Sequence, residues 1–262
     1  MIGLIGKKLG HTRVYDAEGN IVPVTVVQAG PNRVLQVKTR EGKDGYNAVQ
    51  LGFGIQKDSR LTKPLLGHLA RFGVEIKRTD PKTPVTLQGV QRIREFRDFS
   101  LPVKPGDLIG PEIFVPGDYV DAIGITKGRG FEGVVKRHRF RGGDSSHGAK
   151  GWHRRPGAIG QRLFPGTVRR GMRMPGHMGQ VRRTVQNLEV VRVIPEDQLL
   201  LIKGSCPGAE GDYLIIRESK KIPKAKAEQI RKRKAELKAK IEADKKAAAQ
   251  KAAAAKPAAK AK

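Results

Sequence analysis

The glycines of Gly128-Arg129-Gly130-Phe131-Glu132-Gly133 have the spacing G-x-G-x-x-G and directly follow the strand-like run YVDAIGIT. In a dinucleotide-binding fold such glycines let the backbone turn beneath a pyrophosphate at a helix N-terminus. That use also requires a following amphipathic helix, a βαβ unit of about 30 residues and an acid about 20 residues further on. Here VVKRHRF runs into RGGDSSHG, which stops any helix within two turns, and Asp144 comes too early. A G-x-x-x-x-G-K-[ST] loop is absent from the sequence. The second use of such glycines is close approach of the backbone to phosphates, and the surrounding cations suit it. Lys127, Arg129, Lys136, Arg137, Arg139 and Arg141 are spaced by small or apolar residues around Gly128 and Gly130, so they can reach a phosphate backbone on several sides. Arginine forks pair with phosphate oxygens or stack on bases.

The other residues capable of chemistry lie in the same region. Asp144, Ser145, Ser146 and His147 are consecutive, but a catalytic triad is assembled from separated segments on a rigid scaffold, and these sit in a glycine-rich loop. His138, His147, His153 and His177 have neither H-E-x-x-H spacing nor cysteine partners, so no metal site is expected. Hydroxyl and imidazole contacts to RNA are the expected use of this group. Trp152 stands among cations in GWHRRPG, either as a platform for an unpaired base or as a local packing anchor. Lys150, Arg154, Arg155, Gln161, Arg162, Arg169, Arg170, Arg173, Arg182 and Arg183 complete the candidate RNA-binding set with His147, His153 and His177. No catalytic residue, cofactor or small-molecule substrate is expected.

The charge distribution separates this region from the rest of the chain. The 262 residues carry a formal charge of +27. Residues 127–183 hold 15 Lys+Arg against 2 acids, residues 218–262 hold 16 against 5, and everything else holds 21 against 18. A nearly neutral body thus bears two basic appendages, and such concentration calls for a polyanion. Nucleic acid fits better than a membrane, because no apolar run approaches the roughly 20 residues of a span and the basic segments lack a broad apolar face. The single cysteine, Cys206, excludes an internal disulfide and fits a reducing, cytosolic setting.

The elements that must position these residues are mainly short strands. LGHTRVY and NIVPVTVVQAG flank a DAEG turn; NRVLQVKT, YNAVQLGFG, VQRIREFRDF, LIGPEIFV and YVDAIGIT follow, with Pro-Gly-Asp turns at 105–107 and 116–118. One short helix is expected in LTKPLLGHLARFG, capped by Thr62 and closed by Gly73. Beyond the basic segment the strand pattern returns as TVQNLEVVRVI, QLLLIKG and YLIIRE. This spacing suggests one barrel or sandwich body, 1–126 with 184–217, interrupted by an insertion whose ends lie close together. The insertion, with 13 glycines and 3 prolines in residues 127–183, is expected to be extended and ordered mainly by its partner. Residues 218–262 read as a basic tail, helical or disordered, supported by pairs such as Glu228 with Lys232 and Glu236 with Lys240.

These motifs together resemble the bacterial large-subunit ribosomal protein L-three family over roughly residues 1–217. MIGLIGKKLGHTRVY resembles that family's opening, and FVPGDYVDAIGITKGRGFEGVVKR its signature, with Asp121, Gly124, Thr126, Gly128, Arg129, Gly130, Gly133 and Arg137 at the family's spacings. HGAKGWHRRPGAIGQ, PGTVRRGMRMPGHMG, TVQNLEVVRV and LLLIKGSCPGAEGDYLII continue it. The resemblance implies a translation-factor-like β-barrel on the 3′ portion of large-subunit rRNA, in cytoplasmic ribosomes, with an early role in assembly. It further implies a finger whose tip, about Arg155 to Phe164 here, approaches the peptidyl transferase centre. Ribosomal proteins L-fourteen and L-nineteen are the implied neighbours, and Gln161 matches a position N-methylated by a glutamine methyltransferase in some members. His11 stands where methionine is usual, and the resemblance does not extend to the tail.

Overall fold

The computed structural model describes residues 1–16, 18–42, 44–57, 60–71 and 89–222. In chain order the body begins with β1 (Gly3–Tyr15), β2 (Ile21–Gln28), β3 (Asn32–Lys38), β4 (Ala48–Gln56) and helix α1 (Lys63–Arg71). It continues with β5 (Gly89–Arg97), β6 (Leu108–Ile109) and β7 (Tyr119–Ile125). Then come β8 (Phe131–Glu132), helix α2 (Val134–His138) and β9 (Gly176–His177), followed by β10 (Arg182–Ile194), β11 (Leu199–Lys203) and β12 (Tyr213–Glu218).

Six of these strands close into a barrel in the order β1-β12-β7-β10-β11-β2, every neighbouring pair antiparallel. Its interior follows from the two-residue period of a strand. Leu4 of β1, Ile216 of β12 and Ala122 of β7 stand opposite one another across three strands, and all are fully buried. Leu200 and Ile202 of β11 and Val27 of β2 fill the far side. Each buried leucine or isoleucine contributes roughly 2 kcal/mol relative to exposure, so the barrel interior is the main source of stability.

The expectation of one barrel for the whole body does not separate a second sheet, of order β5-β4-β3-β6, that packs beside the barrel and shares its core. Pro31, which has no N–H to give to a ladder, stands between β2 and β3 where the chain passes from barrel to second sheet. Asn32, fully buried at the start of β3, joins the two. Its Nδ2 donates to the carbonyls of Ile5 (3.0 Å) and Ala29 (2.9 Å), and its Oδ1 accepts the Ile5 N–H at 3.1 Å. Val34, Leu51, Phe53 and Phe96 of the second sheet then pack with Leu4 and Ile5. Helix α1 covers the sheet through Leu69, buried against Leu35 and Val90, and its first turn closes on the Thr62 carbonyl (3.0 Å from the Leu66 N–H). The closing Gly73 lies outside the described residues, as does nearly all of the basic tail, from 223 to 262.

The turns follow their residues. Gly19, at φ +81°, closes the β1–β2 hairpin, with the Gly19 N–H donating to Asp16 O at 2.9 Å. In both Pro-Gly-Asp turns glycine takes positive φ, and the aspartate carboxylate accepts the N–H three residues earlier, Asp107 from Lys104 (2.8 Å) and Asp118 from Val115 (3.1 Å). The same turn recurs without proline at Ala209–Asp212, where Asp212 accepts the Ala209 N–H at 2.7 Å. His11 shares a hydrogen bond with Thr25 Oγ1 (3.1 Å), whose hydroxyl donates to Gly204 O. Cys206 is buried, and burial pushes its thiol up against the opposing pulls of the Thr25 hydrogen bond and the Lys8 charge.

Candidate nucleic-acid interface

The basic insertion leaves the barrel at the end of β7 and returns as β10, and these strands are hydrogen-bonded neighbours with Ile125 opposite Arg182. Its two ends are therefore adjacent. The pairing continues past the barrel: the Thr126 N–H donates to Val181 O (3.0 Å) and the Gln180 N–H to Thr126 O (3.1 Å). Arg129 N–H donates to Met178 O and Met178 N–H to Gly130 O, both at 2.9 Å, before β8 pairs with β9. The segment is thus an antiparallel ribbon at its root. Two glycines allow close backbone approach along it, Gly179 at the root and Gly142 further out. An added Cβ on Gly179 (φ +82°) would lie 2.1 Å from Lys127 O, and one on Gly142 (φ +82°) 2.4 Å from His153 O.

Helix α2 adds to the single short helix expected in the body, and it ends within the two turns that RGGDSSHG allows. VVKRH forms one turn and a half, ended by Arg139 in the left-handed conformation (φ 62°, ψ 39°). Val134 is its buried anchor. Arg137 Nη1 donates to Met174 O at 2.7 Å, and His138 Nε2 lies 3.0 Å from the same oxygen, tying the outgoing and returning strands together. Lys136 pairs with Glu132 one turn earlier at 2.5 Å.

The side chains singled out in the sequence are spread along this ribbon and face outward. Lys127, Gly128, Arg129 and Gly130 lie at the root; Lys136 and Arg139 lie on and after α2; Arg141, His147, Lys150, His153, Arg154 and Arg155 follow. Gln161, Arg162, Arg169, Arg170 and Arg173 lie on the far segment, with His177 on β9 and Arg182 and Arg183 on β10. All of these are exposed. Arg137 is the exception, half-buried with its guanidinium engaged on Met174. Trp152 is 50% exposed, rests Cδ1 against Gly143 and lies beneath Arg155 at 5.7 Å, so packing anchor and open face coexist in one ring. Composition did not single out the apolar members of the surface: Phe131, Leu163 and Phe164 are 78%, 89% and 86% exposed. Their signal is the glycine- and arginine-rich sequence around them, which offers too little apolar surface to bury large side chains.

A surface with cations and open apolar side chains projecting from a paired ribbon can contact phosphates and bases but encloses no reaction chamber. Asp144, Ser145, Ser146 and His147 are all exposed. Among the described residues no three His, Cys, Asp or Glu side chains gather where a metal could sit, and no helix is long and apolar enough to cross a membrane.

The pattern defining the family described as Ribosomal protein L3 matches residues 108–198, from β6 through the whole ribbon to the end of β10. A relative from Thioalkalivibrio sulfidiphilus (strain HL-EbGR7), named Large ribosomal subunit protein uL3, is 48% identical over 216 residues, covering 82% of this chain and 96% of the relative. The chain belongs to the uL3 family. In this uL3 chain the family pattern spans both barrel strands that carry the insertion as well as the insertion itself, so scaffold and appendage form one matched unit.

Proposed function

We propose that the chain is a structural, non-enzymatic constituent of the large ribosomal subunit, held there by the ribbon 127–183, which acts as an rRNA-binding finger. Membership of the uL3 family makes it a ribosomal protein, and so a cytoplasmic one in bacteria. The observation that carries the finger reading is the outward display of cations along a backbone rooted between β7 and β10. Lys127, Arg129, Lys136, Arg139, Arg141 and the arginines from Arg154 to Arg183 supply phosphate contacts and counterion release, and glycines admit the backbone between RNA helices. Shape rather than base sequence sets most of the specificity, since an extended segment reaches only RNA already folded around it.

The finer reading places the translation-factor-like barrel on the 3′ portion of the rRNA beside ribosomal proteins L-fourteen and L-nineteen. Assembly begins early with it, and the tip, about Arg155 to Phe164, reaches toward the peptidyl transferase centre. Gln161 is exposed on that tip, open to a glutamine methyltransferase; a tryptic peptide carrying only unmodified Gln161 in native ribosomes would remove that part.

The deciding experiment is co-sedimentation of the tagged protein with ribosomal particles after a high-salt wash, beside a variant whose 127–183 is replaced by a short Gly-Ser linker. The intact chain is expected to remain stoichiometric on the large subunit while the variant washes off. Loss of both would reduce the protein to a transient visitor, and retention of both would move the anchor from the finger to the body.

A further inference from the structure

A cleft of about 510 Å³ opens where the edge strand β5 of the second sheet passes over the outer face of the barrel. This is within the range of roughly 300–1,000 Å³ usual for small-ligand sites. Its floor is aliphatic, with half-buried Ile215 of β12 and 53% exposed Ile125 at the end of β7. Three arginines line it from two directions, Arg92 and Arg94 on β5 and Arg182 at the root of the finger. All three are exposed, and among the described residues none of them forms an ion pair.

The two acids in the lining are engaged elsewhere. Glu95 lies 3.0 Å from Lys38 Nζ; burial would raise its carboxyl, but hydrogen bonds from Lys38 and Tyr46 and the Lys38 charge hold it below the usual range. Asp212 accepts the Ala209 N–H at 2.7 Å in its own turn. With Lys38 beside Glu95, the local balance stays positive. One wall is already held in place: Arg92 lies over the Tyr213 ring at 5.0 Å, the Tyr213 hydroxyl donates to Gln91 Oε1 at 2.6 Å, and Phe53 meets the ring edge-on at 6.0 Å. A site for phosphates alone has no use for an aliphatic floor, and an apolar ligand has no use for three guanidinium groups. A nucleotide satisfies both halves, with its base on the floor and its phosphates on the arginines. Gln180 and Arg182 line both this cleft and the finger root, so RNA tracking the finger arrives at its mouth.

We propose that this cleft is a second RNA site, where the body meets the finger root, which receives one unpaired nucleotide of large-subunit rRNA between the Ile125–Ile215 floor and Arg92, Arg94 and Arg182. The inference rests on the rRNA-binding reading above and adds a site to it.

The test uses the full chain, in vitro transcribed large-subunit rRNA as the probe, and a salt titration of binding. R92A/R94A is expected to bind roughly tenfold more weakly near physiological salt and to lower the salt slope by about 1.5, for two lost phosphate contacts. R92K/R94K, which keeps the charges, is expected to recover most of the slope. A linker variant that replaces only 127–179, keeping Gln180 and Arg182 of the cleft, is read in parallel: if wild type and this variant bind alike, the finger reading fails, whereas wild-type affinity and slope in R92A/R94A overturn the cleft alone. Ultraviolet crosslinking of wild-type protein in native subunits supplies a readout free of any folding defect. Nucleotide adducts on the peptides bearing Arg92 or Tyr213 are expected, and the absence of adducts from both peptides, with 127–179 crosslinked, would overturn the proposal.

Discussion

Gly130 and Gly179 lie on the two strands of the ribbon root and tolerate a methyl group very differently. Both have positive φ, +67° and +82°. At Gly130 an added Cβ meets nothing within 4 Å, so Gly130→Ala carries only the conformational cost of a left-handed alanine, about 1–2 kcal/mol. At Gly179 the same methyl would lie 2.1 Å from Lys127 O, a backbone atom that cannot swing away, so the strands must separate where the finger leaves the barrel. In a competition for incorporation into large subunits, Gly179→Ala is expected to lose to wild type by well over tenfold, and Gly130→Ala by about tenfold or less. Equal losses would mean that the root geometry does not control finger placement. The G-x-G-x-x-G spacing marked this neighbourhood in the sequence, but Gly179 belongs to the returning strand. Only the β7–β10 pairing reveals that Lys127 lies opposite it.

The strand that carries the finger home bends between Val185 and Leu188, where its register against β7 shifts. Asp121, buried in the middle of β7, holds that bend. Its Oδ1 accepts the Asn187 N–H at 3.2 Å, its Oδ2 meets Arg217 Nη2 at 3.3 Å, and Asn187 (φ 59°) receives Ser219 Oγ at 2.5 Å. One carboxylate thus ties β7, β10 and β12 at a bulge, a common device for redirecting a strand. Asp121→Ala would leave Arg217 without its counter-charge and the Asn187 N–H without an acceptor. A loss of about 2–4 kcal/mol in urea unfolding is expected, with Asp121→Asn losing less because it keeps an acceptor. Indistinguishable unfolding curves for Asp121→Ala and wild type would show that the bulge holds without it. Strand identities were legible from Val, Ile and Thr spacing and from Pro-Gly-Asp punctuation, because those depend on near neighbours in the chain. The bulge was not, since TVQNLEVVRV reads as one uninterrupted strand until its partner's register is known. The second sheet escaped for the same reason: nothing in the spacing of NRVLQVKT or YNAVQLGFG says which strand they pair with, and the buried Asn32 that joins the sheets looks like an ordinary turn residue.

The charge map was legible as a whole because charge concentration needs no fold to be counted, and the structure shows what that map becomes in space. The neutral strands bury Leu4, Leu214, Ile216 and Val27 completely, while residues 153–156 and 158–173 contain no half-buried position. A segment with so little apolar burial has almost nothing to hold it against local opening, whereas the barrel strands open only with the global transition. Limited trypsin digestion of the free protein should therefore cut first after Arg154, Arg162, Arg169, Arg170 and Arg173, whereas the Arg155–Pro156 bond resists trypsin. The root should resist longer, because Thr126, Arg129 and Met178 are paired across the ribbon and Arg137 is locked onto Met174. Barrel sites such as Lys8, whose ammonium is buried on the carbonyls of Cys206 and Gly208, should be cut last. Within large subunits the order should change, with the far segment becoming as resistant as the barrel. If the far segment stays equally cleavable in subunits, the finger does not lie in RNA, and the exposed cations from Arg154 to Arg173 must serve a surface rather than an interior.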